Sequence, residues 1–131
     1  MKKEKESTVP NGTIAVIEEF EDSIYSIKFI LQSLGYRVES IAAKADLLSR
    51  LQEFAPDLII VDMLIPNNEG LSVIRFLKEE GFREKPVLAI TADAVNIEES
   101  EIKEAGADVV LTKPYAVTEL QKVLEKYIGT S

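Results

Sequence analysis

Histidine and cysteine are both absent from the 131 residues, so any chemistry must come from carboxylates, hydroxyls, lysine and backbone. That removes Ser-His and Cys-His nucleophiles, imidazole metal ligands, thiolate zinc sites and disulfides. Among the groups that remain, five stand where an apolar run ends: Glu18 and Glu19 after residues 13–17, Asp62 after Leu58-Ile59-Ile60-Val61, Thr91 after Val87-Leu88-Ala89-Ile90, and Lys113 after residues 108–112. Clustered carboxylates without histidine are hard oxygen ligands. They suit Mg2+, which keeps several waters and completes its shell with phosphate oxygens. A lysine and a hydroxyl facing them would hold an anion. A carboxylate can also attack a phosphoryl group and form an aspartyl phosphate, with the metal and the lysine neutralising the equatorial oxygens. Asp62 is placed for that role, and Thr91 would hydrogen-bond the new phosphoryl group.

For these groups to meet, the runs before them must be strands of one sheet. Short aliphatic runs bounded by turn residues read as strands buried on both faces, as in parallel sheets. The carboxyl edge of such a sheet is where connecting loops line a crevice. Between the strands the apolar spacing is helical. Ser23 opens a helix carrying Ile24, Ile27, Leu31 and Leu34 and ended by Gly35; residues 43–54 bury Leu47, Leu48, Leu51 and Phe54 before Pro56. Residues 70–80 present Leu71, Ile74 and Leu77, and 116–128 present Leu120, Val123, Leu124, Tyr127 and Ile128. Residues 94–105 are helical but thinly apolar, with Ile97 and Ile102, and are expected to dock least firmly. Residues 36–41 alternate as an edge strand. Five strands alternating with five helices predict an α/β fold, a parallel sheet covered on both faces by right-handed crossovers.

Composition sets the bounds. With 46% hydrophobic and 29% charged residues the chain is expected to form one domain with a full core, residues 13–131, after a disordered lead-in of residues 1–12 closed by Pro10-Asn11-Gly12. No stretch has the apolar length of a membrane span, and the first ten residues lack a signal-peptide apolar region, so a cytoplasmic protein without membrane attachment is expected. The net charge of -8 repels nucleic acid phosphates and points to a protein partner or a metal instead.

Glu18-Glu19 after Ile-Ala-Val-Ile, the stretch Val61-Asp62-Met63-Leu64-Ile65-Pro66, Thr91-Ala92 and Lys113-Pro114 stand in a telling order. Together they resemble the receiver domain of two-component response regulators over about residues 13–128. The resemblance implies a flavodoxin-like (βα)5 three-layer sandwich with sheet order 2-1-3-4-5. It implies that Asp62 is the phosphoacceptor for a histidine kinase or phosphotransfer protein, and that Thr91 and Lys113 bind the phosphoryl group. It further implies Mg2+ ligated by Asp62, Glu19 and the Leu64 backbone carbonyl, with Glu18 acting through water, and a cis Lys113-Pro114 bond. A receiver is not an enzyme beyond its own phosphorylation and dephosphorylation. The reading is of a single-domain receiver, a monomer or weak dimer, that signals through a downstream protein partner.

Three features depart from the family pattern. The acidic pair is Glu-Glu where at least one Asp is usual, so each carboxylate reaches one methylene further. Val110 stands three before Lys113, where Tyr or Phe is common, and Leu64 offers no polar side chain to orient an attacking water. An altered lifetime of the phosphoryl group follows. The departures keep a second reading open, a degenerate receiver acting as a phosphorylation-independent interaction module. Other functions on this fold are disfavoured: a flavin site wants a phosphate loop of Ser, Thr and Gly where residues 18–22 are acidic, and an aspartyl-nucleophile phosphatase wants Asp at position 64.

Overall fold

A computed structural model describes residues 11–19, 27–65, 69–92 and 95–129. Five strands alternate with five helices: β1 (Thr13–Glu18), α1 (Lys28–Ser33), β2 (Arg37–Ala42), α2 (Leu47–Phe54), β3 (Leu58–Asp62), α3 (Glu69–Glu79), β4 (Val87–Thr91), α4 (Glu99–Ala105), β5 (Val109–Thr112) and α5 (Val117–Ile128). All pairings are parallel and the sheet order is β2-β1-β3-β4-β5, the flavodoxin-like 2-1-3-4-5 order. Because β2 lies on one side of β1 and β3 on the other, the chain reverses direction across the sheet there. The loops leaving β1 and β3 therefore part, and open a crevice at their carboxyl ends.

The strand period of two divides the core into two layers. Ala15, Ile17, Ile59, Val61, Val87 and Ala89 face Leu47 and Leu51 of α2, Val73, Ile74 and Leu77 of α3, and Ile102 of α4. Ile14, Val16, Leu58, Ile60, Leu88 and Ile90 face Leu31 of α1 and Leu120 and Leu124 of α5. With both faces covered, every position of β3 and β4 up to the last, and of β1 between Thr13 and Glu18, is apolar, which is why these strands read as unbroken hydrophobic runs.

Several boundaries differ from the sequence expectation. Glu18, Asp62 and Thr91 are the last residues of their strands, paired with Ala42, Ile90 and Thr112, and not the first loop residues. Their Cα positions are thus held by the sheet. The second helix begins at Leu47, not at 43, since a turn with the Leu47 N–H on the Lys44 carbonyl (3.0 Å) precedes it. The fourth begins at Glu99, not at 94: Asn96 adopts φ 57, which no helix tolerates, and extended Glu98 donates its N–H to Glu101 Oε1 (3.3 Å) to start the helix. Of its seven residues only Ile102 and Ala105 are buried. The expected start of the first helix at Ser23 and residues 1–10 of the expected lead-in lie outside the described residues. Asn11 and Gly12 are tied to the end of α1 and the start of β2, through Asn11 N–H on the Gly35 carbonyl (2.8 Å) and Arg37 N–H on the Gly12 carbonyl (2.9 Å). Among the described residues no helix is long and apolar enough to cross a membrane.

Candidate functional site

At the end of β1, Glu18 is buried at 6% exposure, and its Oε2 accepts a hydrogen bond from the Ser40 hydroxyl of β2. Glu19, one residue further, is exposed. At the end of β3 the half-buried Asp62 accepts the Leu64 N–H on Oδ1 (3.0 Å), which turns the chain back over the carboxylate, and the Leu64 side chain points to solvent, 46% exposed. The Met63 N–H binds the Ile90 carbonyl (2.8 Å) and so prolongs the β3–β4 ladder past Asp62.

Glu18, Asp62 and Lys113, from three separate strand ends, line one cavity of about 80 Å3 whose apolar wall includes Val16, Ile60 and Ile90. Thr91 does not line it. Its buried hydroxyl has no hydrogen-bond partner among the described residues and borders a neighbouring cleft with Thr112, Glu98 and Glu99. The two clefts share the end of β4: Thr91 directly follows Ile90, the partner of Asp62, and its carbonyl accepts the Lys113 N–H (2.8 Å). The Lys113-Pro114 bond is cis, as expected. Val110 packs half-buried against the α2–α4 layer.

Two residues of this site escaped the sequence reading. Tyr115 lines the cavity beside Lys113, and burial, followed by the nearby Asp62 carboxylate, raises its phenol above the ordinary 10.0. Its place two residues after the lysine was the available signal. Ser40 had a weaker one, a small hydroxyl residue in an edge strand next to an acidic strand end.

No three carboxylates among the described residues gather closely enough to form an acidic metal cluster. Mg2+ does not require one, since it binds through one or two carboxylates plus water and phosphate oxygens. Glu18 and Asp62 supply that donor set on one cavity, so the residues present fit the ion.

The family model of the response regulator receiver domain matches residues 14–125. The chain belongs to that family. The polar-differentiation response regulator DivK of Brucella ovis is 28% identical over 118 residues, which are 89% of this chain and 96% of that protein. The receiver domain of the sensor histidine kinase PA1611 of Pseudomonas aeruginosa, solved with a magnesium ion coordinated in its active site cleft, is 30% identical with a TM-score of 0.76, covering 92% of this chain and 99% of that one. The chemotaxis response regulator CheY4 of Vibrio cholerae, 24% identical over 89% of this chain and 98% of its own, shares the fold with a TM-score of 0.72. The receiver described here places its acidic, lysine and hydroxyl groups on the four strand ends that the sequence motifs marked.

Proposed function

We propose that this receiver accepts a phosphoryl group on Asp62 in a Mg2+-dependent transfer from a histidine kinase or phosphotransfer protein, and signals through a protein partner. The observation that carries the reading is the convergence of Glu18, Asp62 and Lys113 on one small cavity. The Leu64 N–H occupies Oδ1 of Asp62, which leaves Oδ2 as the attacking oxygen. An O–P bond forms as the P–N bond of the donor phosphohistidine breaks, and the imidazole leaves. The Lys113 ammonium neutralises phosphoryl oxygens as the charge redistributes. Thr91, whose buried hydroxyl has no partner among the described residues, gains one by turning to the phosphoryl group. Asp62, Glu19 and the Leu64 carbonyl, with Glu18 directly or through water, would hold Mg2+, which when bound would supply further charge neutralisation. Leu64 leaves the attacking water without a side-chain partner, so the phosphoryl group decays slowly. The chemistry is confined to the receiver's own phosphorylation and dephosphorylation, in the cytoplasm, on a domain of residues 13–131 that is monomeric or weakly dimeric.

The test is intact mass after incubation with Mg2+ and acetyl phosphate, with Asp62→Ala beside the wild type. One hydroxylamine-labile phosphoryl group on the wild type and none on the variant is the expected result. No addition from acetyl phosphate, nor from any phosphorylated histidine kinase tried, would overturn the phosphorylation reading in favour of the second one, a phosphorylation-independent interaction module, which the Glu18-Glu19 pair and the non-aromatic Val110 favour.

A further inference from the structure

The Glu at position 18 has a local explanation. In the β1–β2 ladder Ser40 is paired with Val16 and Glu18 with Ala42, so Ser40 is the diagonal neighbour of Glu18, two residues back along the adjacent strand and on the same face. A diagonal neighbour is beyond a short side chain and within reach of a long one. The extra methylene of glutamate spans that gap, and its Oε2 accepts the hydroxyl of the buried Ser40. An aspartate rooted at the same place would fall short.

We propose that Ser40 is a positioning residue for Mg2+: its hydroxyl fixes the Glu18 carboxylate where that residue lines the cavity shared with Asp62 and Lys113. The serine and the glutamate act as one unit, doing together what a shorter acid does alone. A flexible glutamate would lose side-chain freedom on binding the cation, and the hydrogen bond makes that ordering part of folding. Such outer partners orient the groups that carry a metal or its waters, and their loss weakens metal affinity about tenfold or more. The inference rests on the proposed Mg2+ site.

The experiment is a Mg2+ titration of the unphosphorylated protein followed by backbone amide shifts, which also report the fold. Ser40→Ala is expected to raise the Mg2+ dissociation constant about tenfold. Ser40→Thr, which keeps the hydroxyl, restores the wild-type affinity. Ser40→Cys keeps the volume with a feeble donor and is expected to lose affinity as alanine does, which separates the hydroxyl from packing. In a Glu18→Asp background, where the side chain no longer reaches, Ser40→Ala changes nothing. Equal affinities for wild type and both the alanine and cysteine variants would overturn the proposal, as would a Ser40→Ala effect of the same size with Asp at position 18. A wild type that binds no Mg2+ would overturn the Mg2+ reading itself and this inference with it, a result distinct from binding that Ser40 does not influence.

Discussion

The two sides of the crevice differ in how their polar groups are satisfied. On the β1–β2 side the buried Glu18 is anchored by the Ser40 hydroxyl. On the β4–β5 side the buried Thr91 hydroxyl has no partner among the described residues, and Val110 packs beneath the same region without a phenol or large ring. An unpaired buried hydroxyl costs about 1–3 kcal/mol, while a hydrogen bond to a charged group contributes about 1.5–3 kcal/mol. The Glu18 carboxylate is therefore anchored within the fold, whereas the Thr91 hydroxyl is left unsatisfied by the described residues. Under the proposed phosphorylation the Thr91 side would gain a hydrogen bond when the phosphoryl group arrives, a differential stabilisation of the kind a switch requires.

The contrast can be broken most severely at its centre. Lys113→Gln removes the ammonium from the cavity it lines with Glu18 and Asp62 and is expected to slow phosphorylation from acetyl phosphate by about 10²-fold, read as the rate of mass increase. An unchanged rate would detach Lys113 from the reaction.

Next come two substitutions that should act in opposite directions on the unphosphorylated protein. Ser40→Ala takes away a partner of a buried carboxylate and is expected to lower unfolding stability by about 1.5–3 kcal/mol in urea. Thr91→Val exchanges a hydroxyl without a partner among the described residues for a methyl of similar volume and is expected to raise it by up to about 1 kcal/mol. Destabilisation by both would mean that the Thr91 hydroxyl is already satisfied in solution, and the asymmetry would vanish.

A smaller effect concerns the rim. Leu64→Asn places a polar group beside Asp62, and the phosphoryl group is expected to decay several times faster than in the wild type, measured by loss of the added mass after the donor is removed. Equal decay would reject a role for the leucine in setting the lifetime.

The smallest effect is at alkaline pH. Burial and the Asp62 carboxylate raise the Tyr115 phenol, and burial followed by Glu125 raises Tyr36. A folded-state pKa above the unfolded value gives stability that is fully present below the ordinary 10.0 and is lost as pH rises through the folded values, since the unfolded chain releases those protons first. Stability should therefore fall above about pH 10. In Mg2+-free buffer Asp62→Asn should move Tyr115 back toward 10.0 without reaching it, because burial remains; tyrosinate absorbance follows both.

Much of this was legible from residue types alone. The runs 58–61 and 87–90, apolar at every position, required a sheet covered on both faces, and acids, hydroxyl and lysine at their ends marked one edge of it. Helix starts were less legible at 43 and 94, because alanine and polar residues fit a turn as well as a helical face. There the Lys44 turn and the left-handed Asn96 decided. Sequence by itself determined which groups could do chemistry, because the absence of histidine and cysteine left only carboxylates, lysine and hydroxyls beside the paired strand ends. Only the tertiary structure decided which of them share a cavity. Strand register set Ser40 on the diagonal of Glu18 and left Thr91 lining the neighbouring cleft, while the turn after β5 brought Tyr115 within reach of the Asp62 charge. The hydrophobic alternation favours a register, but which residues meet across strands distant in sequence follows only from the packed sheet.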